Sequence, residues 1–196
     1  MENKELFNKY DEGHHWENHP TIYAEEFLEF LKKNMHPCVL ANDVMIVDLG
    51  CGTGRDVNHF HQAGVSAMGV DSNEEAISVA QRNYPESRFC YCDIHQLPYM
   101  DKRPLAYFCI NVMHYVDAPK VMEEIYKTLI PGEYAFLHFN LLIVDQEQIQ
   151  DYHQEIAEVY TLVKKFQIVD KKIFSREDSK PMPHIHNILQ IIIKKI

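Results

Sequence analysis

The sequence predicts an α/β protein, a doubly wound and mostly parallel sheet with helices on both faces, closed by an antiparallel hairpin. Three observations carry that prediction. Strand-like apolar runs alternate with helix-period segments from Val44 to about Phe139. Glycines gather where the first of those runs gives way to a helix: VDLGCGTGRD, Val47 to Asp56, holds three of the seven in the chain. Two strand-like runs at the end, FQIVDKKIF and HIHNILQIIIKK, are separated only by a polar, proline-containing loop.

The opening stretch to about Pro20 is rich in His and aromatics and shows no period. TIYAEEFLEFLKKN then puts Tyr23, Phe27, Phe30 and Leu31 on one helical face, with Pro37 soon after its end. Val44 to Leu49 is short and apolar, as a strand buried on both faces should be. Val57 and Phe60 predict a helix after the glycines, and Gly64 suits its C-terminal end. VSAMGVD is the second strand, and Ser72 with Glu75 reads as a capping box opening a helix that Pro85 stops. RFCYCD and LAYFCINV are the third and fourth strands. Asp117-Ala118-Pro119 opens a helix that turns Val121, Met122, Ile125 and Leu129 inward, and YAFLHF follows as the fifth strand. Ile149, Tyr152, Ile156, Val159 and Val163 step at helical spacing and predict one amphipathic helix from Ile149. The terminal pair brings the strands to seven. With 196 residues the chain reads as one domain, residues 1–196, split into an N-terminal helical or lid segment, 1–43, and a core, 44–196.

Composition excludes several classes. An apolar share of 46% beside 24% charged residues is ordinary for a globular protein. A net charge of −10 disfavours a nucleic-acid partner, unless the C-terminal Lys164, Lys165, Lys171, Lys172, Lys194 and Lys195 form a patch. No apolar run approaches the roughly 18 residues of a membrane span, and MENKELFNKYDEG has no apolar leader segment. Five cysteines, an odd number lying mostly in strand-like runs, fit reduced thiols and a cytoplasmic location.

The glycine loop has a definite chemistry. A dinucleotide turn has the spacing G-x-G-x-x-G, but counting from Gly50 the sixth position is Arg55, and no Gly-Lys-Ser/Thr of a phosphate loop follows. The pattern is instead D-x-G-x-G-x-G, with Asp48 at the strand end. A carboxylate there repels a pyrophosphate and suits an ammonium group. Asp71 ends the second strand, where an acid accepts hydrogen bonds from both ribose hydroxyls. Asp93 ends the third, placed to accept from an exocyclic amine, with Ile94 as an apolar wall. An amino acid, a ribose and a base are the three parts of S-adenosylmethionine.

On these residues the chain resembles the class I, seven-stranded S-adenosylmethionine-dependent methyltransferases from about Val44 to Asn140. VDLGCGTGRD is similar to their first motif, VDSN to the segment with the ribose-binding acid, CDIHQLP to the adenine-binding segment and CINVMHYV to the fourth-strand motif. The Gly-Arg-Asp at the loop's end and PHIHNILQIIIKK look like the small enzymes related to tellurite-resistance and thiopurine methyltransferases. The resemblance implies a Rossmann-like sheet with an antiparallel last strand. It also implies a cofactor site of Asp48, Gly50, Cys51, Gly52, Gly54, Asp71, Ser72, Asp93, Ile94 and Asn111. Where the family often has an acid at the start of the fourth strand, this chain has Leu105-Ala106-Tyr107.

The resemblance implies further roles outside the loop. His114 follows the fourth strand, where a neutral imidazole can take a proton from an acceptor, or simply pack. Tyr10 and Trp16, with His14 and His15, precede the first strand, where such a segment folds over the cofactor as a lid; the alternative is that they anchor the N-terminus. His184 and His186 alternate onto one strand face, yet nothing in sequence points to further ligands, so no metal is expected. The implied activity is methyl transfer to a small-molecule acceptor. The asparagine-proline motif of base-amine methylation is absent near Asn111. A protein side chain as acceptor, a nonenzymatic S-adenosylmethionine-binding subunit and a nicotinamide oxidoreductase remain the alternatives.

Overall fold

The parallel half of the sheet is built of short strands, the central two buried because helices cover both of their faces. β1 (Ile46–Leu49) and β4 (Ala106–Cys109) are buried at every position. β2 (Ala67–Asp71) and β3 (Arg88–Tyr91) complete that half. β5 (Tyr134–Asp145), β7 (Phe166–Asp178) and β8 (His184–Lys195) are much longer. The computed structural model of the chain describes residues 3–10, 19–35, 46–97 and 104–196. Strand order is β3-β2-β1-β4-β5-β8-β7, with β8 antiparallel to both neighbours, as the sequence predicts for the last strand.

Alternation along the strands sorts the core into two layers. Ile46, Ala106, Phe108, Tyr134 and Phe136 face α2 (Ile22–Asn34) and α3 (Arg55–Gln62), which contribute Phe27, Leu31, Val57 and Phe60. Ile77 of α4 (Glu74–Asn83) joins the same layer. Val47, Leu49, Tyr107, Ala135 and Leu137 face α5 (Ala118–Thr128) and α6 (Ile156–Leu162), through Val121, Ile125 and Val159. The expected doubly wound arrangement with helices on both faces is thus present.

Two local expectations are corrected. Residues 150–153 are not helical: Gln150–His153 forms an eighth strand, β6, antiparallel to the far end of β5, and the helix starts only at Ile156. β5 runs past the end of β4, and its last residues pair with β6 instead, so sheet pairing overrides the helical spacing there. The α4 cap is Asn73, whose Oδ1 accepts from the Ala76 amide at 3.1 Å, one residue beyond the Ser72 of the expected capping box. Gly64, at φ +78°, ends α3 as expected, and Asp117 caps α5.

Ahead of the core, α1 (Asn3–Tyr10) rests Leu6 and Tyr10 on Ile143 of β5. Lys9 reaches Asp145 and Asp151, at 3.2 and 2.6 Å. The expected boundary at residues 43 and 44 falls outside the described residues. No helix among them is long and apolar enough to cross a membrane.

Candidate active site

Parallel strands all point their C-terminal ends at one edge of the sheet, and the connections leaving β1 and β4 diverge there to opposite faces. A cavity of about 570 Å³ opens at that edge. Asp48, Asp71 and Asp93, from three neighbouring strand ends, all border it, together with Gly50, Cys51, Gly52, Ser72, Ile94 and Asn111. These residues, far apart in sequence, are brought together around one cavity.

Gly50 and Gly52 show why the loop is glycine. Gly50 has φ +73°, and a Cβ there would lie 2.3 Å from Val112 Cγ2, in the turn after β4. Gly52, at φ +53°, has nothing within 4 Å of where its Cβ would be, so the bare backbone borders open space. Gly54 does not line the cavity and serves instead as the N-cap of α3.

Each carboxylate has its own environment. Asp48 is fully buried, and desolvation first, then the charges of Asp56 and Asp71, push its pKa well above the usual carboxylate range. Asp71 accepts from the Gly52 amide at 2.8 Å and from the Asn73 amide at 2.9 Å, one on each oxygen. Those bonds fix the carboxylate plane and leave lone pairs on both oxygens for a ligand. Asp93 is held below the usual range, chiefly by the His95 backbone amide, and its Oδ1 also pairs with His95 Nδ1 at 2.6 Å. His95 Nε2 accepts from the Asp117 amide at 3.1 Å, so its proton sits on Nδ1 and donates to Asp93.

Sequence reasoning missed other walls of this cavity. Lys4 and Phe7 of α1 border it, as do Arg55 and Tyr115. Phe7 meets Tyr115 edge-on at 5.4 Å between ring centres. The Asp of Gly-Arg-Asp, Asp56, is buried and accepts from the Thr21 amide at 2.7 Å, which ties the start of α2 to the glycine loop.

A second, smaller cavity shares Asn111 and Tyr115 with the first and is otherwise lined by Tyr10, His114, Arg176, Asp178, Lys180, His184 and His186. Two expectations are redirected here. Tyr10 lies in this cavity and not the larger one, because its hydroxyl donates to Asp151 and its ring packs on His184 at 4.2 Å. His114 is also absent from the lining of the larger cavity. It is buried, and desolvation first, then His186, Arg176 and His184, lower its pKa far below the ordinary value. Its Nδ1 accepts from Asn140 Nδ2 at 2.8 Å, so that lone pair is already used. Asn111 has φ +59°, uncommon outside glycine, and its Oδ1 accepts from Arg176 Nη1 at 2.8 Å. Trp16, His14 and His15 lie outside the described residues.

The terminal hairpin completes this corner. Asp178 of β7 stands opposite His184 of β8, and His186 is two residues further along the same face. The pair of histidines was legible in the sequence, but the acid beside them was not.

Residues 46–132 match the family model of the methyltransferase domain. A malonyl-[acyl-carrier protein] O-methyltransferase from Pectobacterium atrosepticum is 28% identical over 90 residues, 45% of this chain and 36% of that protein. The chain thus spans about a third of the length of the curated relatives it matches. Among solved structures, a SAM-dependent methyltransferase from Methanosarcina mazei superposes with a TM-score of 0.66 at 19% identity, covering 83% of this chain and 99% of that one. TehB from Haemophilus influenzae superposes with a TM-score of 0.66 at 13% identity, covering 99% of this chain and 67% of the other. At such identities the superpositions speak for the fold, while the matched domain covers the strand ends that build the larger cavity. Residues 46–132 are thus similar to a methyltransferase domain, and the chain has the Rossmann-like fold of the solved S-adenosylmethionine-dependent methyltransferases on which it superposes.

Proposed function

We propose that the protein transfers the methyl group of S-adenosylmethionine to a small-molecule acceptor. One observation carries this reading: the carboxylates of Asp48, Asp71 and Asp93 border a single cavity large enough for a nucleoside with an amino acid tail. Asp48, whose burial opposes its charge, gains a partner when an ammonium group arrives. The bare Gly52 backbone leaves room for the tail, Asp71 holds the ribose, and Asp93 with Ile94 holds the base. Cys51, Ser72 and Asn111 complete the walls, and Phe7 with Tyr115 covers the side next to α1.

The bound cofactor supplies a methyl carbon already activated by the sulfonium charge, so the protein's work is alignment and exclusion of water. His114, with its Nδ1 committed to Asn140, is given no proton transfer in this reading. A small acceptor agrees with a relative named trans-aconitate 2-methyltransferase, 28% identical over 88 residues, and with the pairing of the C-terminal lysines. Lys165 meets Glu123 at 2.7 Å and Lys172 meets Glu26 at 2.8 Å, while Lys195 is buried on backbone carbonyls. The protein is placed in the cytoplasm, a reading supported by the four free cysteines among the described residues.

Calorimetric titration with S-adenosylhomocysteine tests the proposal. Wild type is expected to bind one equivalent. Asp71→Ala is expected to lose roughly 100-fold in affinity, from two charge-assisted hydrogen bonds of about 1.5 kcal/mol each. A turnover screen over carboxylates, thiols, phenols, amines and metalloid oxyanions then identifies the acceptor class. Saturation by NADH with no response to S-adenosylhomocysteine would overturn the reading, and cofactor binding without turnover on any acceptor would favour a binding subunit.

A further inference from the structure

The proposed methyl transfer makes no use of the corner where the terminal hairpin meets the smaller cavity. There, two imidazoles and a carboxylate converge. Asp178 Oδ2 lies 3.3 Å from His186 Nε2 and 3.8 Å from His184 Nε2, and the three ligand atoms all fall within 4.8 Å of one another. Both imidazoles are more than nine-tenths buried.

The outer hydrogen bonds decide which ring nitrogens face inward. His184 Nδ1 lies 2.7 Å from the carbonyl oxygen of Met182, which only accepts, so Nδ1 carries a proton and Nε2 is the ring nitrogen turned toward Asp178. His186 Nδ1 donates to Asn140 Oδ1 at 2.9 Å, while the amide nitrogen of Asn140 donates to His114. This arrangement also turns Nε2 of His186 inward. The two Nε2 atoms therefore face one carboxylate oxygen, Asp178 Oδ2. Such outer-shell bonds are what orient metal-binding histidines. Ligand placement is also rigid, because all three residues sit on one hydrogen-bonded hairpin in which Asp178 pairs with His184.

We propose that Asp178, His184 and His186 form a binding site for a divalent transition-metal ion of the zinc type. Two imidazoles and one carboxylate suit zinc, cobalt or nickel better than magnesium or calcium, which prefer all-oxygen shells. Arg176 already donates to Asp178 Oδ2 from Nε at 3.1 Å and from Nη2 at 2.7 Å. Its charge opposes the incoming cation, which sets the affinity below that of a closed structural zinc site. The same guanidinium holds Asn111, so an ion here would be coupled to the residue common to both cavities.

The test uses the full chain stripped with a chelator, titrated with Zn2+ by calorimetry and with Co2+ by visible absorption. The result expected is one equivalent bound with a dissociation constant at or below about 10 µM, and Co2+ ligand-field bands of a low-coordinate nitrogen and oxygen site. His186→Ala and Asp178→Asn should each lose the bands and weaken binding at least tenfold. His61→Ala, an exposed histidine elsewhere, should match wild type. Asp178→Asn retains an oxygen for Arg176 and so tests the site even where a histidine variant unfolds. Equal uptake by wild type and Asp178→Asn, or no Co2+ bands in wild type, overturns the proposal. The readout is metal binding alone, so it stands or falls separately from methyl transfer.

Discussion

Asp48 shows function and stability pulling in opposite directions at one residue. Its folded pKa is raised above the unfolded value by burial and by neighbouring acids. For a group shifted this way, the contribution to stability is complete at low pH and is lost as pH rises through the folded pKa. Asp48→Asn removes that loss, so the ligand-free variant is expected to melt higher than wild type in alkaline buffer, by about 2–4 °C for each kcal/mol recovered. The same variant should bind S-adenosylhomocysteine more weakly. In wild type, binding at pH below the raised pKa should release a proton from Asp48, measurable as a dependence of calorimetric heat on the buffer's ionisation enthalpy. A wild type whose heats ignore the buffer would show Asp48 already ionised. Asp48, Asp71 and Asp93 were legible because an acid directly after an apolar run in an α/β pattern must lie at a strand end. Arg176 and Asp178 were not, since only the register of β7 against β8 brings them beside His184 and His186.

Elements were legible wherever local pattern and tertiary demand agreed. The strands β1 to β4 and helices α2 to α5 follow the apolar runs closely, while β5 runs on to Asp145, past the expected YAFLHF. The exception is the segment after β5, where spacing from Ile149 suits a helix but the overhanging end of β5 takes Gln150–His153 as a partner strand. A hydrogen-bond ladder outweighs a periodicity, and sequence spacing contains no measure of an overhang. Aromatic rings link the layers where Phe27 of α2 and Phe60 of α3 meet Phe108 and Phe136 of the sheet. Phe108 lies 5.3 Å from Phe136 and 5.4 Å from Phe60, ring centre to ring centre. Phe108→Ala should cost about 3–5 kcal/mol, seen as a lower denaturant midpoint with an unchanged slope. A loss under about 1 kcal/mol would mean that the layers close over the gap.

At the scale of the whole molecule, α1 joins the far end of β5 to the mouth of the larger cavity. Leu6 is buried against Ile143, while Lys4 and Phe7 of the same helix border the cavity. A lid was expected at Tyr10 to Trp16, whereas the docking of α1 through Leu6, Lys9 and Tyr10 depends on contacts more than a hundred residues away and left no local signature. Leu6→Ala should loosen α1 by about 2–5 kcal/mol. The expected signs are faster protease cleavage near α1 and faster release of S-adenosylhomocysteine, with the core's melting transition kept. Unchanged release would show that α1 does not guard the cavity.

Among the described residues β7 pairs in the sheet only with β8, the strand that follows it in the chain. During synthesis β7 therefore emerges before its partner strand, and the flank of β5 that pairs with β8 stays bare until residues 184–195 leave the ribosome. A nascent chain halted before that point would present an unpaired, apolar strand edge to its neighbours.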